Sequence, residues 1–402
     1  MKIAITGATG FVGQSLIPLL AGIADVKLIL LGRDLGKIQA MFPEIECCRY
    51  DDMNSFVKDF DVILHLAVLN NNYQGPEDEF YRVNVEFLSR IIDKAKINKI
   101  KYFVNMSSLH ALDGKNQSNY AISKRQALQL LDREHGLNKI SFFVPLVYGE
   151  KWSGSLKFLN ALPIYFASRV FQILSAFKPT VNIRHIATNL IKLESTYDGQ
   201  DMVITDGQSQ NVFFSFVKRI VDVSFALATI LFFWWLMILV WLAVRLESRG
   251  PGIFAQERIG RYATTFTCYK FRTMKQGTEQ VGTHDVSTFA VTRLGKFLRK
   301  TKLDELPQVW NILRNEMSLI GPRPCLPIQY ELIEQRKQHG IYEIKPGITG
   351  LAQVNDIDMS NPVQLAQWDS RYIKLQSLSA EFQILLLTLT GRGAGDRVSK
   401  VA

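Results

Sequence analysis

Cysteine is scarce in this chain, and its four copies follow no spacing that a metal site would need. Cys47 and Cys48 are adjacent, and Cys268 and Cys325 stand far from them, which argues against a disulfide framework. A reduced, cytosolic setting therefore fits best. Recognisable nucleic-acid-binding modules are also missing, so we expect no nucleic-acid partner despite a formal net charge of +10.

Charged residues, glycine and proline are all absent from the 22 positions between Val223 and Val244. Such a run is long enough to cross a bilayer as a helix. Basic residues flank it on both sides, at Lys218-Arg219 and at Arg245, so the charge pattern gives no simple orientation. We predict a re-entrant helical hairpin over residues 213–249 that enters the membrane and returns. A straight spanning helix and a buried soluble helix remain the alternatives.

Acidic residues are under-represented in the second half of the chain. Residues 1–212 hold 23 Lys/Arg against 21 Asp/Glu, whereas residues 213–402 hold 24 against 16. The excess is concentrated between Arg249 and Lys302, with 11 basic and 3 acidic residues, which indicates an anionic partner such as substrate phosphates, lipid headgroups or both. We predict a soluble domain at 1–212, the membrane segment at 213–249 and a second catalytic domain at 250–402.

The first residues form a strand, a glycine loop and a helix in that order. Lys2 to Ile5 is a short apolar strand, and Gly7, Gly10 and Gly13 follow it. This context predicts a dinucleotide fold whose helix N-terminus holds a pyrophosphate. A second strand ends before Arg33, where an acidic residue would bind a ribose 2′-hydroxyl, so we predict NADP(H) rather than NAD(H), with a solvated loop charge as the alternative. The predicted cofactor-binding residues are Gly7, Gly10, Phe11, Val12, Gly13, Arg33, Asp51, Ala67 and Lys124.

Three polar side chains suggest acid/base chemistry in the same half. The strand at 102–106 runs into Ser107-Ser108, and Tyr120 and Lys124 follow at i and i+4, on one face of a helix. A nearby ammonium is expected to lower the pKa of a tyrosine, and a serine hydroxyl can hold a substrate oxygen.

These motifs, with His65-Leu66-Ala67 and Pro145 to Gly149, resemble the extended short-chain dehydrogenase/reductase family over residues 1–210. The resemblance implies Tyr120 as general acid/base, Lys124 on the nicotinamide ribose and Ser108 as the catalytic serine, with Ser107 as the alternative. Only about 60 residues remain after Gly149, so the substrate region is trimmed. We interpret the apolar stretch 156–177 as pocket or core, with a lid or a membrane-facing patch as alternatives.

The second half contains two adjacent carboxylates in a basic setting. Asp304 and Glu305 follow five basic residues between Arg293 and Lys302. A carboxylate can attack phosphorus as a nucleophile, while Mg²⁺ and cationic side chains neutralise a diphosphate.

The motifs around 254–260, 270–274, 303–308, 317–324 and 346–353 resemble the bacterial sugar transferase family, the monotopic polyprenyl-phosphate hexose-1-phosphate transferases. The resemblance implies Asp304 as nucleophile and metal ligand, Glu305 as its partner, and phosphate contacts from cationic side chains. The predicted phosphate-binding residues are Lys270, Arg272, Arg293, Arg299 and Arg323.

Together these patterns predict an α/β protein: a Rossmann-type doubly wound parallel sheet, a membrane hairpin, and a small, mostly helical α/β transferase domain. The expected function is bifunctional. One half would reduce the 4-keto group of a UDP-sugar, expected to be a 6-deoxy-N-acetylhexosamine, and the other would transfer the sugar 1-phosphate to undecaprenyl phosphate for an O-antigen or capsule. Alternatives for the first half are a C4 epimerase and an inactive sensing or dimerisation module. We expect both domains on the cytoplasmic face of a bacterial inner membrane, in contact with lipid, and a homodimer is conceivable.

Overall fold

The computed structural model describes residues 1–152, 154–278 and 290–392. The chain divides into two compact units. Unit 1 comprises Met1–Phe171 and Pro179–Asp206. Unit 2 comprises Gln172–Lys178 and the described chain from Gly207 onward.

The strands of unit 1 are short and apolar, as expected for strands covered on both faces. They are β1 (Lys2–Thr6), β2 (Lys27–Gly32), β3 (Cys47–Arg49), β4 (Val62–His65), β5 (Tyr102–Ser108), β6 (Asn138–Val144), β7 (Leu146–Tyr148), β8 (Thr180–Asn182) and β9 (Met202–Val203). Within the described residues, seven of them form one parallel sheet in the order β3-β2-β1-β4-β5-β6-β9. This confirms the predicted doubly wound sheet.

Helices cover both faces of this sheet. The helices before residue 207 are α1 (Phe11–Ala21), α2 (Leu35–Met41), α3 (Met53–Phe56), α4 (Glu77–Tyr81), α5 (Phe87–Ile97), α6 (Asn119–Arg133), α7 (Ile164–Phe177), α8 (Ile183–Ile191) and α9 (Leu193–Thr196), with a π-helical turn at Arg82–Glu86. Alternate residues of β1 enter different cores: Ile3 and Ile5 pack in one cluster and Ala4 in another. Both faces of the sheet are therefore buried. A ligand is expected to bind at the carboxyl ends of the strands.

The apolar stretch 156–177 differs from its favoured interpretation as pocket or core. Leu156, Leu159 and Ala167 are buried, but Ile164 and Phe166 are 73% and 62% exposed. The stretch is amphipathic, so its hydrophobicity alone overstated how much of it is covered. The last two turns of α7 belong to unit 2, where the Asn211 side chain donates to the Gln172 carbonyl at 2.9 Å.

Unit 2 begins with one long helix and continues as small strands and short helices. The helices are α10 (Val212–Glu247), α11 (Arg293–Thr301), α12 (Val309–Leu313), α13 (Tyr330–Gln338), α14 (Leu351–Val354), α15 (Pro362–Leu375) and α16 (Leu378–Leu389). The strands are the antiparallel pair β10 (Ile253–Ile259) and β11 (Thr265–Phe271) and the parallel pair β12 (Ser318–Ile320) and β13 (Gly347–Thr349). The predicted order of sheet, apolar helix and mostly helical domain is confirmed.

The turn expected inside the apolar segment is absent, because α10 is one continuous helix of 36 residues. Glycine and proline do not occur between Phe213 and Arg249, so each backbone N–H can reach a carbonyl four residues earlier and nothing breaks the ladder. Asn211 caps its start by accepting from the Phe214 amide at 3.0 Å. The hairpin prediction is therefore wrong in this respect.

Helix α10 packs against the same globular part near both of its ends. At its start, Lys218 donates to the Ile320 carbonyl at 2.9 Å, and Asp222 accepts from the Leu319 amide at 2.8 Å. Near its end, Val240 and Val244 join a cluster that includes Phe271 and Leu298. Its middle is uncovered, and only 17% of its most apolar 18-residue window is buried.

Strands β12 and β13 approach closely where the chain leaves β12 for Arg323. A Cβ on Gly347 would lie 2.0 Å from the Gly321 nitrogen, so only glycine fits there. This close contact fixes the position of the backbone from which the chain continues to Arg323.

Candidate functional site

The predicted cofactor residues of unit 1 gather at one edge of the sheet. Gly7 follows β1, Arg33 follows β2, and Ala67 stands two residues after β4. Strand β1 lies between β2 and β4, where the strand order reverses. In open parallel sheets this switch point is where nucleotides bind.

Backbone geometry explains the glycines of the loop. Gly7 has a φ of +73°, and a Cβ there would lie 2.6 Å from the Ala67 nitrogen. A Cβ on Gly13 would lie 2.6 Å from the Ala8 carbonyl oxygen. Gly10 is the N-cap of α1 and has no side chain to cover the helix end, which begins at Phe11 and Val12. The loop is therefore shaped to bring a diphosphate close to the backbone amides.

Arg33 and Asp51 are both exposed. Burial raises the pKa of Tyr50, and the charge of Arg33 opposes that rise, as does a backbone hydrogen bond with Gly7. The guanidinium therefore acts within reach of the glycine loop, which is where a 2′-phosphate would need a cation.

Tyr120 and Ser108 come together, and Lys124, one helical turn after Tyr120, is held against β5. Tyr120 hydrogen-bonds Ser108, and Lys124 is 2% exposed with its Nζ donating to the Met106 carbonyl at 2.9 Å. Burial lowers the pKa of Lys124 to about 7. The pKa of Tyr120 is raised rather than lowered, because burial outweighs the Ser108 hydrogen bond. The expected lowering of the Tyr120 pKa by Lys124 is thus not found, and Tyr120 is protonated at neutral pH.

Asn84 is a residue that the sequence analysis missed. Its side chain accepts from the Leu69 amide at 2.8 Å, donates to the Leu69 carbonyl at 3.1 Å and donates to Ser123 Oγ at 3.0 Å. It thereby ties the loop after β4 to the helix that carries Tyr120 and Lys124. The available signal was an asparagine between two valines, Val83 and Val85, and it lies buried on the π-helical turn.

The second site centres on a short 3₁₀ segment, Leu303–Gln308. Lys302, in the left-handed region at φ +58°, turns the chain between α11 and this segment. Glu305 accepts from Lys270 Nζ at 2.8 Å and lies 3.5 Å from a terminal nitrogen of Arg323. Two predicted phosphate-binding cations therefore converge on one predicted catalytic carboxylate.

Asp304 is 8% exposed, so its carboxyl group is largely removed from water. Burial and the negative charge of Glu305 raise the pKa of Asp304 to about 6, against the opposing charges of Lys270, Arg299 and Arg323. A carboxylate desolvated in this way is ionised at neutral pH yet poorly solvated, which favours nucleophilic attack.

A small, solvent-open cleft lies beside Glu305. Arg258, Lys270 and Arg323 line it together with Gln308, whereas Asp304 is not part of its lining. Arg258 also donates to the Pro324 carbonyl at 3.0 Å. The sequence analysis included Arg258 in the 254–260 motif without assigning it a role, because its distance from Glu305 along the chain hides the fact that both line this cleft.

The remaining predicted phosphate-binding cations lie elsewhere or play another part. Arg272 donates to the Ser248 carbonyl at 2.7 Å, at the end of α10. Arg299 donates through Nε to Thr273 Oγ1 at 2.9 Å and acts electrostatically on Asp304. Arg293 is exposed at the first position of α11.

Among the residues that the structure describes, no three His, Cys, Asp or Glu side chains are grouped to hold a metal ion. Asp304 and Glu305 are two carboxylates in sequence, and Mg²⁺ is often held by one or two carboxylates plus substrate phosphates and water. The donor set thus fits a Mg²⁺ that arrives with a diphosphate.

Family models match both halves of the chain. The model described as bacterial sugar transferase matches residues 213–392, and that of the NAD dependent epimerase/dehydratase family matches residues 3–171. The uncharacterized sugar transferase EpsL of Bacillus subtilis is 34% identical over 43% of this chain and 85% of its own length. The chain therefore belongs to the bacterial sugar transferase family, and its N-terminal half is similar to the NAD dependent epimerase/dehydratase family.

Other relatives match less completely. A UDP-N-acetylgalactosamine-undecaprenyl-phosphate N-acetylgalactosaminephosphotransferase of Aeromonas hydrophila is 34% identical over 54% of this chain. The chain spans about half the length of that protein and of several other curated relatives. A UDP-glucuronic acid 4-epimerase of Bacillus cereus, solved with NAD, aligns at 17% identity and a TM-score of 0.42 over 51% of this chain and 77% of that one.

Proposed function

We propose that unit 2 transfers a sugar 1-phosphate from a UDP-sugar to undecaprenyl phosphate. The observation that carries this proposal is the pairing of Asp304 and Glu305 with Lys270 and Arg323 beside a cleft that Arg258 also lines. Three cations around two carboxylates suit a substrate that brings two phosphates. The Aeromonas relative, named for transfer to undecaprenyl phosphate, supports the acceptor class.

The proposed reaction has two displacements at one phosphorus. An Asp304 carboxylate oxygen attacks the sugar-bearing phosphorus, a P–O bond forms, and the bond to the UMP oxygen breaks. An oxygen of undecaprenyl phosphate then attacks the same phosphorus and releases the carboxylate. Lys270, Arg258 and Arg323 neutralise phosphate charge in both steps. Bound Mg²⁺ would supply further charge neutralisation at the diphosphate.

The packing of α10 supports a location on one face of the membrane. Asp222 and Val244 contact the same globular part of unit 2 and stand 22 residues apart, or roughly 33 Å along a helix. The hydrocarbon core is about 30 Å thick. If α10 crossed the membrane along its normal, the globular part of unit 2 would have to contact both faces of the bilayer. We infer that α10 lies along the interface with both ends on the cytoplasmic side of a bacterial inner membrane.

For unit 1 we propose NADP(H)-dependent reduction of a UDP-4-keto sugar, expected to be a 6-deoxy-N-acetylhexosamine. The glycine loop would hold the pyrophosphate, Arg33 the 2′-phosphate, and Lys124 the nicotinamide ribose. Tyr120, protonated at neutral pH, would give its proton to the carbonyl oxygen that Ser108 orients. The nicotinamide supplies the hydride when it is bound. Reduction could precede or follow transfer.

The transferase proposal is tested by release of UMP. Purified chain with UDP-sugar, Mg²⁺ and undecaprenyl phosphate should release UMP, and Asp304→Asn should reduce the rate by at least about a thousandfold because the nucleophile is lost. Glu331→Gln, which removes an exposed carboxylate outside the cluster, is the matched control. Release of UMP by Asp304→Asn at the wild-type rate would exclude Asp304 as the nucleophile.

The reductase proposal is tested by cofactor oxidation. Adding a UDP-4-keto sugar should oxidise NADPH stoichiometrically, and Tyr120→Phe should abolish this while Tyr81→Phe, on an exposed tyrosine, should not. A C4 epimerase would interconvert UDP-sugars without net NADPH consumption. Cofactor binding without any turnover would instead favour the sensing or dimerisation module.

A further inference from the structure

Unit 1 exposes a group of apolar side chains that its own fold does not cover. Five large apolar residues around the start of α7 are solvent-exposed, and we call them the aromatic patch. They are Phe158 (54% exposed), Leu162 (39%), Ile164 (73%), Tyr165 (64%) and Phe166 (62%). Soluble proteins seldom expose so many neighbouring large apolar side chains without an interaction partner.

The chain around the aromatic patch is basic and lacks acidic residues. No Asp or Glu occurs between Lys151 and Leu193, a stretch that holds six Lys or Arg residues. Lys157 and Arg169 are exposed beside the patch, and the Arg169 guanidinium lies 5.5 Å from the centre of the Tyr165 ring. This stretch of chain therefore combines exposed aromatic rings with positive charge and contains no acidic residue.

The combination of exposed apolar side chains and positive charge favours binding to an anionic membrane surface. Aromatic and aliphatic side chains bordered by Lys and Arg are typical of surfaces that sit at the headgroup level of anionic membranes. A second copy of the chain would bring the same positive charge against itself. The patch offers on the order of 500 Å², given 150–250 Å² for each aromatic side chain, whereas a stable protein interface needs about 800 Å² per partner.

We propose that the aromatic patch inserts into the anionic headgroup region of the membrane that holds α10. The aromatic and aliphatic side chains enter the boundary of the acyl region, and Lys157 and Arg169 bind lipid phosphates. The dehydrogenase-type unit is then itself a lipid-binding module. This inference depends on the membrane residence given in the proposed function, and adds a second, independent attachment.

Spin labels on the full chain test the proposal. In a Cys47→Ser background, which removes the one native cysteine that is not buried, nitroxides are placed by Phe166→Cys in the patch, Ile97→Cys on another exposed part of unit 1, and Leu231→Cys on α10. The chain is reconstituted into nanodiscs of phosphatidylcholine and phosphatidylglycerol. Collision rates with oxygen, which concentrates in lipid, and with a water-soluble nickel chelate give the environment of each label.

We expect the labels at 166 and 231 to favour oxygen and the label at 97 to favour the nickel chelate. A label at 166 that behaves like the one at 97, while 231 favours oxygen, overturns the inference and leaves the proposed function standing. Shielding of the label at 166 from both reagents also overturns the inference, because the patch would then be covered by protein. Shielding that requires UDP-sugar would mean a substrate lid, and shielding without it would mean a protein partner. A label at 231 that favours nickel overturns the membrane residence and this inference together.

Discussion

Burial of the Asp304 carboxyl group determines the pH at which it loses its charge. Its pKa is raised to about 6, so the reactive carboxylate form is lost as the pH falls below that value. We expect single-turnover UMP release to be flat above about pH 7 and to fall about tenfold per pH unit well below 6. The measurement is a quench-flow pH profile with saturating UDP-sugar.

Two lysine variants test whether the pH profile reports the pKa of Asp304. Lys270 lowers the pKa of Asp304, so Lys270→Ala should move the midpoint of the profile to higher pH. Lys275→Ala, on an exposed lysine, should leave it in place. An unchanged midpoint in Lys270→Ala would mean that the profile reports a different group.

A buried ion pair positions the backbone of the same site. Arg336 is 1% exposed, donates to Asp369 at 2.7 and 3.0 Å, and donates through Nη1 to the Arg323 carbonyl at 2.8 Å. Asp369→Ala would leave this guanidinium buried without its charge partner. We expect a loss of about 3–5 kcal/mol in unfolding free energy, measured by denaturant unfolding in detergent.

The double variant Arg336→Met, Asp369→Leu is the control for this ion pair. It removes both charges and keeps apolar volume, so most of the stability should return. It should not restore UMP release fully, because the hydrogen bond to the Arg323 carbonyl is also gone. Equal instability of the single and double variants would contradict the assignment to an unpaired charge.

Individual site residues were predictable where the chain itself brings them close. Tyr120 and Lys124 share a helix turn, and Asp304 and Glu305 are adjacent, so spacing sufficed. Lys270 and Arg272 separate because β11 ends at Phe271 and the Arg272 side chain donates to the Ser248 carbonyl, so the phosphate contact of Arg272 stays a prediction. Arg258 lines the cleft through pairing of β10 with β11, and one sequence does not specify the register of such pairs.

At the scale of elements, α10 shows what composition can and cannot predict. Its apolar character and approximate bounds followed from the sequence, but its course did not. That course depends on polar contacts at its start, including Asp222 with Leu319 and Ser318, between residues about a hundred positions apart. The hairpin was inferred from the need to keep both halves on one side, which a straight helix packed at both ends also satisfies.

The Asp222 contact gives a prediction for this helix. Asp222 is 2% exposed and accepts from the Leu319 amide and from Ser318 Oγ at 3.0 Å. Asp222→Ala leaves a buried N–H without a partner, so we expect about 1–3 kcal/mol of destabilisation. Ser224→Ala, on an exposed hydroxyl of the same helix, should change little. Protease sensitivity of the α10 start, measured in nanodiscs, reports the local loss, and equal sensitivity of both variants would contradict it.

At the scale of the whole molecule, the parallel sheet was the most predictable part. Short apolar strands, a glycine loop and intervening helices allow few topologies, because crossovers between parallel strands are right-handed. Unit 2 was predictable as a family resemblance rather than from pattern. Two of its strands, β12 and β13, have only three residues each, and they pair although they lie far apart in the chain.

The fusion of the two units predicts a kinetic advantage at low intermediate concentration. Tyr120→Phe should lose NADPH oxidation and keep UMP release, and Asp304→Asn should do the reverse, because the two sites use different residues. Mixing these two variants supplies both activities on separate chains, so an intermediate must cross bulk solvent or lipid between them. We expect the mixture to form reduced lipid-linked sugar with a lag that the wild-type chain lacks, since linkage raises the effective local concentration. Mass spectrometry of the lipid product over time measures this lag, and identical time courses at limiting UDP-4-keto sugar would show that linkage confers no such advantage.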